Sequence, residues 1–87
     1  MIPEKKLRSI SPTILKAGEY RFFFFSREEP RMHVHVAAAM GECKFWLEPE
    51  IELAHNYRFS RARLKEIEEL VEEHWHEFIA AWRKHFG

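Results

Sequence analysis

The sequence predicts an α+β domain in which a β-meander of three or four antiparallel strands precedes one long C-terminal helix packed on one face of the sheet. Short segments rich in aromatic and β-branched residues alternate with Gly, Pro and small residues up to position 59. From Ser60 onward the apolar residues recur at intervals of three and four, which is the period of a helix with one buried side. The chain has 87 residues, the size of a single domain.

The first part of the chain predicts an arm followed by short strands. Residues 1–12 are charged and aperiodic, so we expect a flexible arm that precedes a single domain at 13–87. Gly18, Pro30 and Pro49 mark turns, because Gly permits left-handed backbone and Pro cannot sit in a central strand. The extended segments are predicted at 13–16, 20–26, 32–36, 42–47 and 51–53, the last being a strand or a turn.

A single helix is predicted for residues 61–86, which contain neither Gly nor Pro. Ser60 is a suitable N-cap, because its hydroxyl can accept from a backbone N–H of the first turn. At 1.5 Å per residue the helix would be about 38 Å long, more than a small sheet can cover, so we expect its C-terminal part to extend beyond the sheet. Its apolar stripe consists of Leu64, Ile67, Val71, Trp75, Phe78, Trp82 and Phe86.

The formal charges cancel, with 14 Lys and Arg against 14 acidic residues. Residues 1–44 contain eight basic and five acidic residues, whereas residues 45–87 contain six and nine. A neutral chain has no bulk attraction to nucleic acid or to an anionic membrane, and little self-repulsion opposes its association with other proteins. The balance therefore favours a protein partner over non-specific binding to DNA.

Cysteine content and motifs exclude several classes of protein. Cys43 is the single cysteine, so neither an internal disulfide nor a Cys-based zinc site is possible. The sequence contains no P-loop, no GxSxG elbow and no dinucleotide fingerprint. It has no apolar run long enough for a signal peptide or a membrane span. We therefore expect a cytoplasmic protein that needs no cofactor and has no membrane partner.

The predicted strands divide their side chains between two faces, since successive residues of a strand point to opposite sides. One helix covers one face, so the other face should keep exposed aromatic residues of the kind found at interfaces, either Phe23 and Phe25 or Phe22 and Phe24. Alternatively, the N-terminal arm or the 50–58 segment folds over these aromatic residues. The residues predicted to bind a partner, on this face and on the extending end of the helix, are Phe23, Phe25, Trp46 and Trp82.

Two histidines provide the strongest indication of chemistry. His33 and His35 are two residues apart and share one face of a predicted strand. Imidazole titrates near neutral pH, so the pair fits a general base and a general acid for RNA cleavage without a metal. In this hypothesis Lys44 and Arg31 stabilise the charge of the phosphate, and Tyr57 or His55 assists. The chain would then be a small ribonuclease-like hydrolase.

The same pair of histidines has two other interpretations. One is a metal site for a hydrolase, in which His33, His35 and one further ligand, His55, would bind the ion. Glu42 and Glu48 are further candidates for that ligand, and no spacing selects among the three. The other interpretation is a pair of surface or interface histidines that only pack and form hydrogen bonds.

The order of short motifs resembles the domain-of-unknown-function 4160 family over residues 12–86. The family's usual proline before the histidine pair is replaced here by Met32, and Arg58 stands where glycine is commoner. Neither replacement disrupts the pattern. The motifs that carry the resemblance are PTIL at 12–15, GEYRFFFFS at 18–26, MHVHV at 32–36, GECKFWLEP at 41–49, NYRFS at 56–60 and AWRKHF at the end of the predicted helix.

This resemblance implies a role in a bacterial type II toxin–antitoxin module. The resemblance implies that the gene for this chain lies beside a gene that encodes a protein of the domain-of-unknown-function 2442 family. The resemblance implies that this chain is the toxin and that the neighbour is its antitoxin, which neutralises it by direct binding. The expected assembly is a homodimer or a hetero-oligomer. A non-catalytic regulatory or binding module, including the antitoxin side of such a pair, remains the alternative.

Overall fold

The computed structural model describes residues 10–25 and 30–87, which form a five-stranded antiparallel sheet followed by two helices. The order of strands in the sheet follows the chain, so the sheet is a simple meander. The α+β class and the antiparallel meander predicted from the sequence are therefore confirmed. The elements are β1 (Ile10–Ala17), β2 (Tyr20–Phe25), β3 (His33–Ala38), β4 (Gly41–Trp46), β5 (Glu52–Tyr57), α1 (Arg61–Glu73) and α2 (Trp75–Phe86).

The predicted number of strands was wrong at both edges of the sheet. Residues 10–12, assigned to the arm, begin β1, while residues 1–9 of that arm lie outside the described residues. β5 is a full six-residue strand where only a turn or a three-residue strand was expected at 51–53. All six residues of β5 are exposed. An edge strand that buries nothing shows no alternation of polarity, so the sequence pattern could not reveal its length.

The predicted single helix is divided into two at His74. Its backbone has ψ of 19°, far from the value of about −42° typical of an α-helix. The hydrogen-bond ladder nevertheless continues through it, since its N–H donates to Leu70 O at 3.0 Å and its carbonyl accepts from Phe78 N–H at 3.1 Å. The apolar stripe survives the bend, which is why periodicity alone predicted one uninterrupted helix. Neither described helix is long and apolar enough to cross a membrane.

Both helices pack on one side of the sheet, which we call the covered face. The ring of Phe22 stacks on that of Phe78 with centroids 5.4 Å apart, and Phe24 meets Trp82 at 5.2 Å. The indole N–H of Trp75 donates to the carbonyl of Leu47 at 2.8 Å. The buried residues shared between this face and the helices are Phe22, Phe24, Val34, Val36, Cys43, Phe45, Leu47, Ile67, Val71, Phe78, Ile79 and Trp82.

The connection from β5 to α1 is fixed by local hydrogen bonds. The Asn56 side chain accepts from Phe59 N–H at 3.2 Å and donates to its carbonyl at 3.0 Å. Arg58 has φ of +75°, the left-handed region that glycine adopts without steric cost. Ser60 accepts from Arg63 N–H at 3.2 Å, which confirms it as the N-cap.

A second contact attaches α1 to the β1–β2 turn. The hydroxyl of Tyr20 donates to Glu66 at 2.7 Å and accepts from Arg63 at 3.0 Å. Arg63 also pairs with Glu19. The hydrogen bond to Tyr20, together with that to Glu19, raises the pKa of the Arg63 guanidinium above its ordinary value. Burial is the main cause of the raised pKa of Tyr20, so this hydroxyl stays protonated at neutral pH.

Candidate functional site on the open face of the sheet

The opposite side of the sheet, which we call the open face, carries a different set of side chains. Cross-strand register places them together: Phe23 lies opposite His35, and His35 lies opposite Lys44. None of them belongs to the cluster of residues that the described helices bury. The residues of the open face are Arg21, Phe23 and Phe25 of β2, His35 of β3, Glu42, Lys44 and Trp46 of β4, and Glu52, His55 and Tyr57 of β5.

Aromatic rings pack against one another along β2 and β3. The His35 ring lies 4.3 Å from Phe25 and 5.6 Å from Phe23, and these two phenylalanines are 5.4 Å apart. The guanidinium of Arg21 lies 4.7 Å from the Phe23 ring. Phe23 is only 4% exposed although it faces away from the helices, because its polar and aromatic neighbours cover it. Of the two pairs that the sequence allowed on the helix-free face, the structure has Phe23 and Phe25 there, with Phe23 buried.

Trp46 is the focus of the positive charge on this face. The guanidinium of Arg31 lies 4.2 Å from the ring centroid of Trp46, and the ammonium of Lys44 lies 4.4 Å from it. Arg31 is held in place by donating to Glu48 O at 2.9 Å and by an ion pair with Glu52 at 3.7 Å. Cation–π contacts of this kind stabilise by about 0.5–1 kcal/mol at exposed sites. Two like charges are thus concentrated over one half-buried ring.

His33 occupies a different environment from His35. It is 0% exposed, and its ring lies 5.1 Å from Trp82 of α2 and 5.6 Å from Trp46. Its Nδ1 is 2.7 Å from the carbonyl of Arg31, and because a carbonyl only accepts, Nδ1 is the donor. His33 therefore joins the helix-packed core to the open face. Proton exchange with a substrate in solvent would require this part of the structure to open.

The other residues predicted for catalysis lie in two neighbouring rows of the open face. Register places His35, Lys44 and His55 in one row across β3, β4 and β5. Residues directly opposite each other in a sheet have Cβ atoms about 4.5–5.5 Å apart. Tyr57 is exposed and lies in the next row, opposite Glu42. His55 was considered only as an assisting or metal-binding residue, because a strand that is exposed throughout does not reveal its register with β4 in the sequence.

Trp82 lies apart from the other residues predicted to bind a partner. It is 7% exposed, and its ring packs 5.2 Å from Phe24 and 4.4 Å from Phe86. Phe78 and Trp82 of α2 pack on Phe22 and Phe24 of β2, so Trp82 is part of the core. Phe23, Phe25 and Trp46 remain together on the open face.

Two further possibilities for chemistry receive no structural support. Within the two described ranges, no group of three or more His, Cys, Asp or Glu side chains is arranged to hold a metal ion. Cys43 is buried on the covered face, and burial raises the pKa of its thiol to about 12. A protonated, inaccessible thiol is a poor nucleophile.

A comparison with protein families relates this surface to other proteins. The family model described as Domain of unknown function (DUF4160) matches residues 19–83. The chain belongs to this family. The match confirms the family predicted from the sequence. It includes every residue of the open face named above and ends within α2. Searches of curated proteins and of solved structures found no match to the chain.

Proposed function

We propose that this DUF4160 protein is the toxin-like member of a bacterial two-gene toxin–antitoxin module. A protein of the domain-of-unknown-function 2442 family neutralises it by direct binding to the open face. Membership of the family supports the proposal, because the resemblance to this family is what implies such a gene pair. The observation that carries the binding role is the aromatic and cationic surface formed by Phe25, Arg21, Lys44 and Trp46.

The chemistry of this surface favours a protein partner. Interfaces are enriched in aromatic residues and arginine, and their strongest contacts are commonly Trp, Tyr and Arg. Arg31 and Lys44 both lie over Trp46, and Arg31 is paired with Glu52. Carboxylates of a partner would find two cations close together at this ring. A partner ring or aliphatic side chain would contact the edges of Trp46 and Phe25.

Growth of a bacterial host tests the toxin role. Expression of this chain alone is expected to slow growth, and co-expression of the neighbouring DUF2442 protein is expected to restore it. Soluble expression is verified in each culture, for example by gel filtration of the lysate. Normal growth with soluble protein present would contradict the proposal.

Binding measurements test the role of the open face. Trp46→Ala and Arg21→Glu should each weaken the complex with the DUF2442 partner by roughly 2 kcal/mol or more in calorimetric titrations. Arg83→Glu on the exposed side of α2 makes the same change in charge and serves as the matched control. Equal losses in Arg21→Glu and Arg83→Glu would show that the partner responds to net charge and not to this surface.

RNA cleavage is a second candidate function, favoured by the row His35, Lys44 and His55. Adjacent strands are about 4.8 Å apart, so the two imidazoles flank Lys44 on both sides. In this arrangement His35 removes the proton of a ribose 2′-hydroxyl, whose oxygen attacks the phosphorus. His55 protonates the leaving 5′-oxygen, and Lys44 binds a non-bridging oxygen of the phosphate. The products are a 2′,3′-cyclic phosphate and a free 5′-hydroxyl.

The catalytic version has its own test. His35→Ala and His55→Ala should each abolish growth arrest and cleavage of total cellular RNA while binding of the DUF2442 partner persists. His76→Ala, an exposed histidine of α2, is the matched control. Growth arrest that survives in both His35→Ala and His55→Ala would exclude this chemistry and leave the binding proposal intact.

A further inference from the structure

The outer edge of β5 has the properties of a docking site for another strand. Within the part of the chain that the structure describes, β5 pairs with β4 alone and is the last strand of the sheet. All six of its residues are exposed. A strand at the edge of a sheet presents N–H and C=O groups that another extended chain can pair with. Peptide recognition by strand addition uses such edges.

The apolar residues next to this edge are unusually accessible. Leu53 is 41% exposed and Tyr57 is 57% exposed, and they are the exposed large hydrophobic residues among those described. The register shift opposite Lys44 and Phe45 sorts them onto opposite sides, with Leu53 on the covered face and Tyr57 on the open face. A strand added to β5 would therefore find one apolar contact on each side.

A groove of about 250 Å³ lies between β5 and α1 on the covered side, beside Leu53. Its apolar lining comes from Phe45, Leu53 and Leu64, and its charged lining from Arg61, Lys65 and Glu68. A side chain of the added strand that points to the covered side of the sheet would enter this groove. The volume suits one large aliphatic or aromatic residue. Carboxylates beside that residue would reach Arg61 and Lys65.

The charges around this groove indicate what kind of segment would bind there. The first turn of α1 contains Arg61 and Arg63 and no acidic residue. Positive side chains at a helix N-terminus are unfavourable, because the helix dipole is positive there. Arg63 is compensated by Glu19, whereas Arg61 and Lys65 form no ion pair within the described residues. An acidic partner would supply the missing compensation.

We infer that the edge of β5 and the adjoining groove bind an extended, acidic segment of a partner protein, which adds as a sixth strand. Its apolar side chain occupies the groove beside Leu53 and Leu64, and its carboxylates pair with Arg61 and Lys65. A second copy of this chain fits less well, because the one carboxylate of β5, Glu52, faces Arg31 on the open face. This site adjoins the open face at Tyr57 but is distinct from the surface proposed to bind the antitoxin. The inference does not depend on toxicity.

The test uses a fluorescein-labelled, eight-residue peptide in which Glu alternates with Val and one central Phe. Fluorescence anisotropy at low ionic strength should show saturable binding to the purified full chain. The double variant Arg61→Glu, Lys65→Glu should weaken binding about tenfold, since two exposed charge pairs become repulsive. Arg83→Glu, Lys84→Glu on α2 changes the net charge equally and should leave the affinity unchanged.

Two further measurements separate strand addition from simple charge attraction. A peptide with N-methyl groups on alternate residues should lose binding, because it cannot form the ladder with β5. Amide hydrogen exchange of residues 52–57 should slow when the unmodified peptide is added. Absence of saturable binding, equal loss in both double variants, or equal binding of the methylated peptide would overturn the inference.

Self-association is the competing occupant of this edge. Sedimentation velocity of the unliganded chain and of its Leu53→Glu variant should show the same species, because the edge of β5 does not hold a second copy. A concentration-dependent dimer that Leu53→Glu abolishes would assign the edge to a second copy and would also overturn the inference. Growth arrest plays no part in these measurements, so failure here leaves the proposed toxin role to its own test.

Discussion

The two faces of the sheet use the same kind of side chain for different purposes, and β2 shows this most directly. Phe22 and Phe24 point to the covered face, where their rings contact Phe78 and Trp82 of α2. Phe23 and Phe25 point to the open face, where their neighbours are His35 and Arg21. One strand thus supplies apolar contacts to the core and aromatic contacts to a mixed surface.

The difference shows that burial alone does not define the core of this protein. Phe23 is as inaccessible as several core residues, at 4% exposure, yet a cation and an imidazole cover it. A cation–π contact at an exposed site contributes about 0.5–1 kcal/mol, whereas burying an aromatic side chain between sheet and helix contributes about 1.5–3 kcal/mol. The covered face should therefore carry stability, and the open face should carry binding.

The largest expected effect separates the two faces directly. Phe22→Ala should lower the free energy of unfolding by about 3–5 kcal/mol, because it empties space against Phe78. Phe25→Ala on the half-buried open side should lower it by less than half as much. Urea denaturation monitored by tryptophan fluorescence measures both. Equal losses would mean that the open face is as much a part of the core as the covered face.

A smaller effect concerns the buried thiol of the covered face. Burial raises the pKa of the Cys43 thiol in the folded chain from its ordinary value of 9.0 to about 12. The neutral thiol is therefore favoured by folding, and its stabilising effect is complete below pH 9 and is lost as pH rises toward 12. The expected slope is at most about 1.4 kcal/mol per pH unit.

Denaturation of the wild type and of Cys43→Ala between pH 8 and 11 measures this slope. The difference in unfolding free energy between the two proteins should shrink with rising pH. A difference that stays constant would contradict the burial of this thiol. Labelling with a disulfide reagent gives an independent check, because Cys43 should react rapidly only in urea.

The smallest expected effect sharpens the description of the open face. Arg21→Met removes the cation next to Phe23 while keeping a long aliphatic side chain over the ring. The unfolding free energy should fall by about 0.5–1 kcal/mol at most, and added salt should reduce the difference. Thermal unfolding at low and high salt measures both. A loss of several kcal/mol would show that this contact is structural and not part of an adaptable surface.

Several features of the fold and site follow from local patterns. The meander follows from short aromatic and β-branched segments separated by Gly and Pro, as in Tyr20–Phe25 bounded by Gly18 and Pro30. The placement of His35, Lys44 and Trp46 on one face follows from alternation along two strands. Ser60 as N-cap follows from its position before an apolar stripe. Each depends on residues close together in the chain.

Features that depend on distant contacts were not predictable. The full length of β5 was missed because all six of its residues are exposed, so this edge strand has no buried, alternating side. The bend at His74 was missed because it preserves the apolar stripe. His33 is the same residue type as His35 and shares its strand, yet it is fully buried, with its ring packed against Trp46 and against Trp82 of α2. No pattern around residue 33 carries information on where residue 82 lies.

The sequence by itself determined the α+β class, the antiparallel meander, the DUF4160 membership and the division of side chains between two faces, because alternation and periodicity are properties of consecutive residues. Only the tertiary structure decided which histidine reaches the surface, that Trp82 belongs to the core, and that β5 ends the sheet beside a cationic groove. These features depend on how α1 and α2 lie across the strands, and that packing joins residues far apart in the chain.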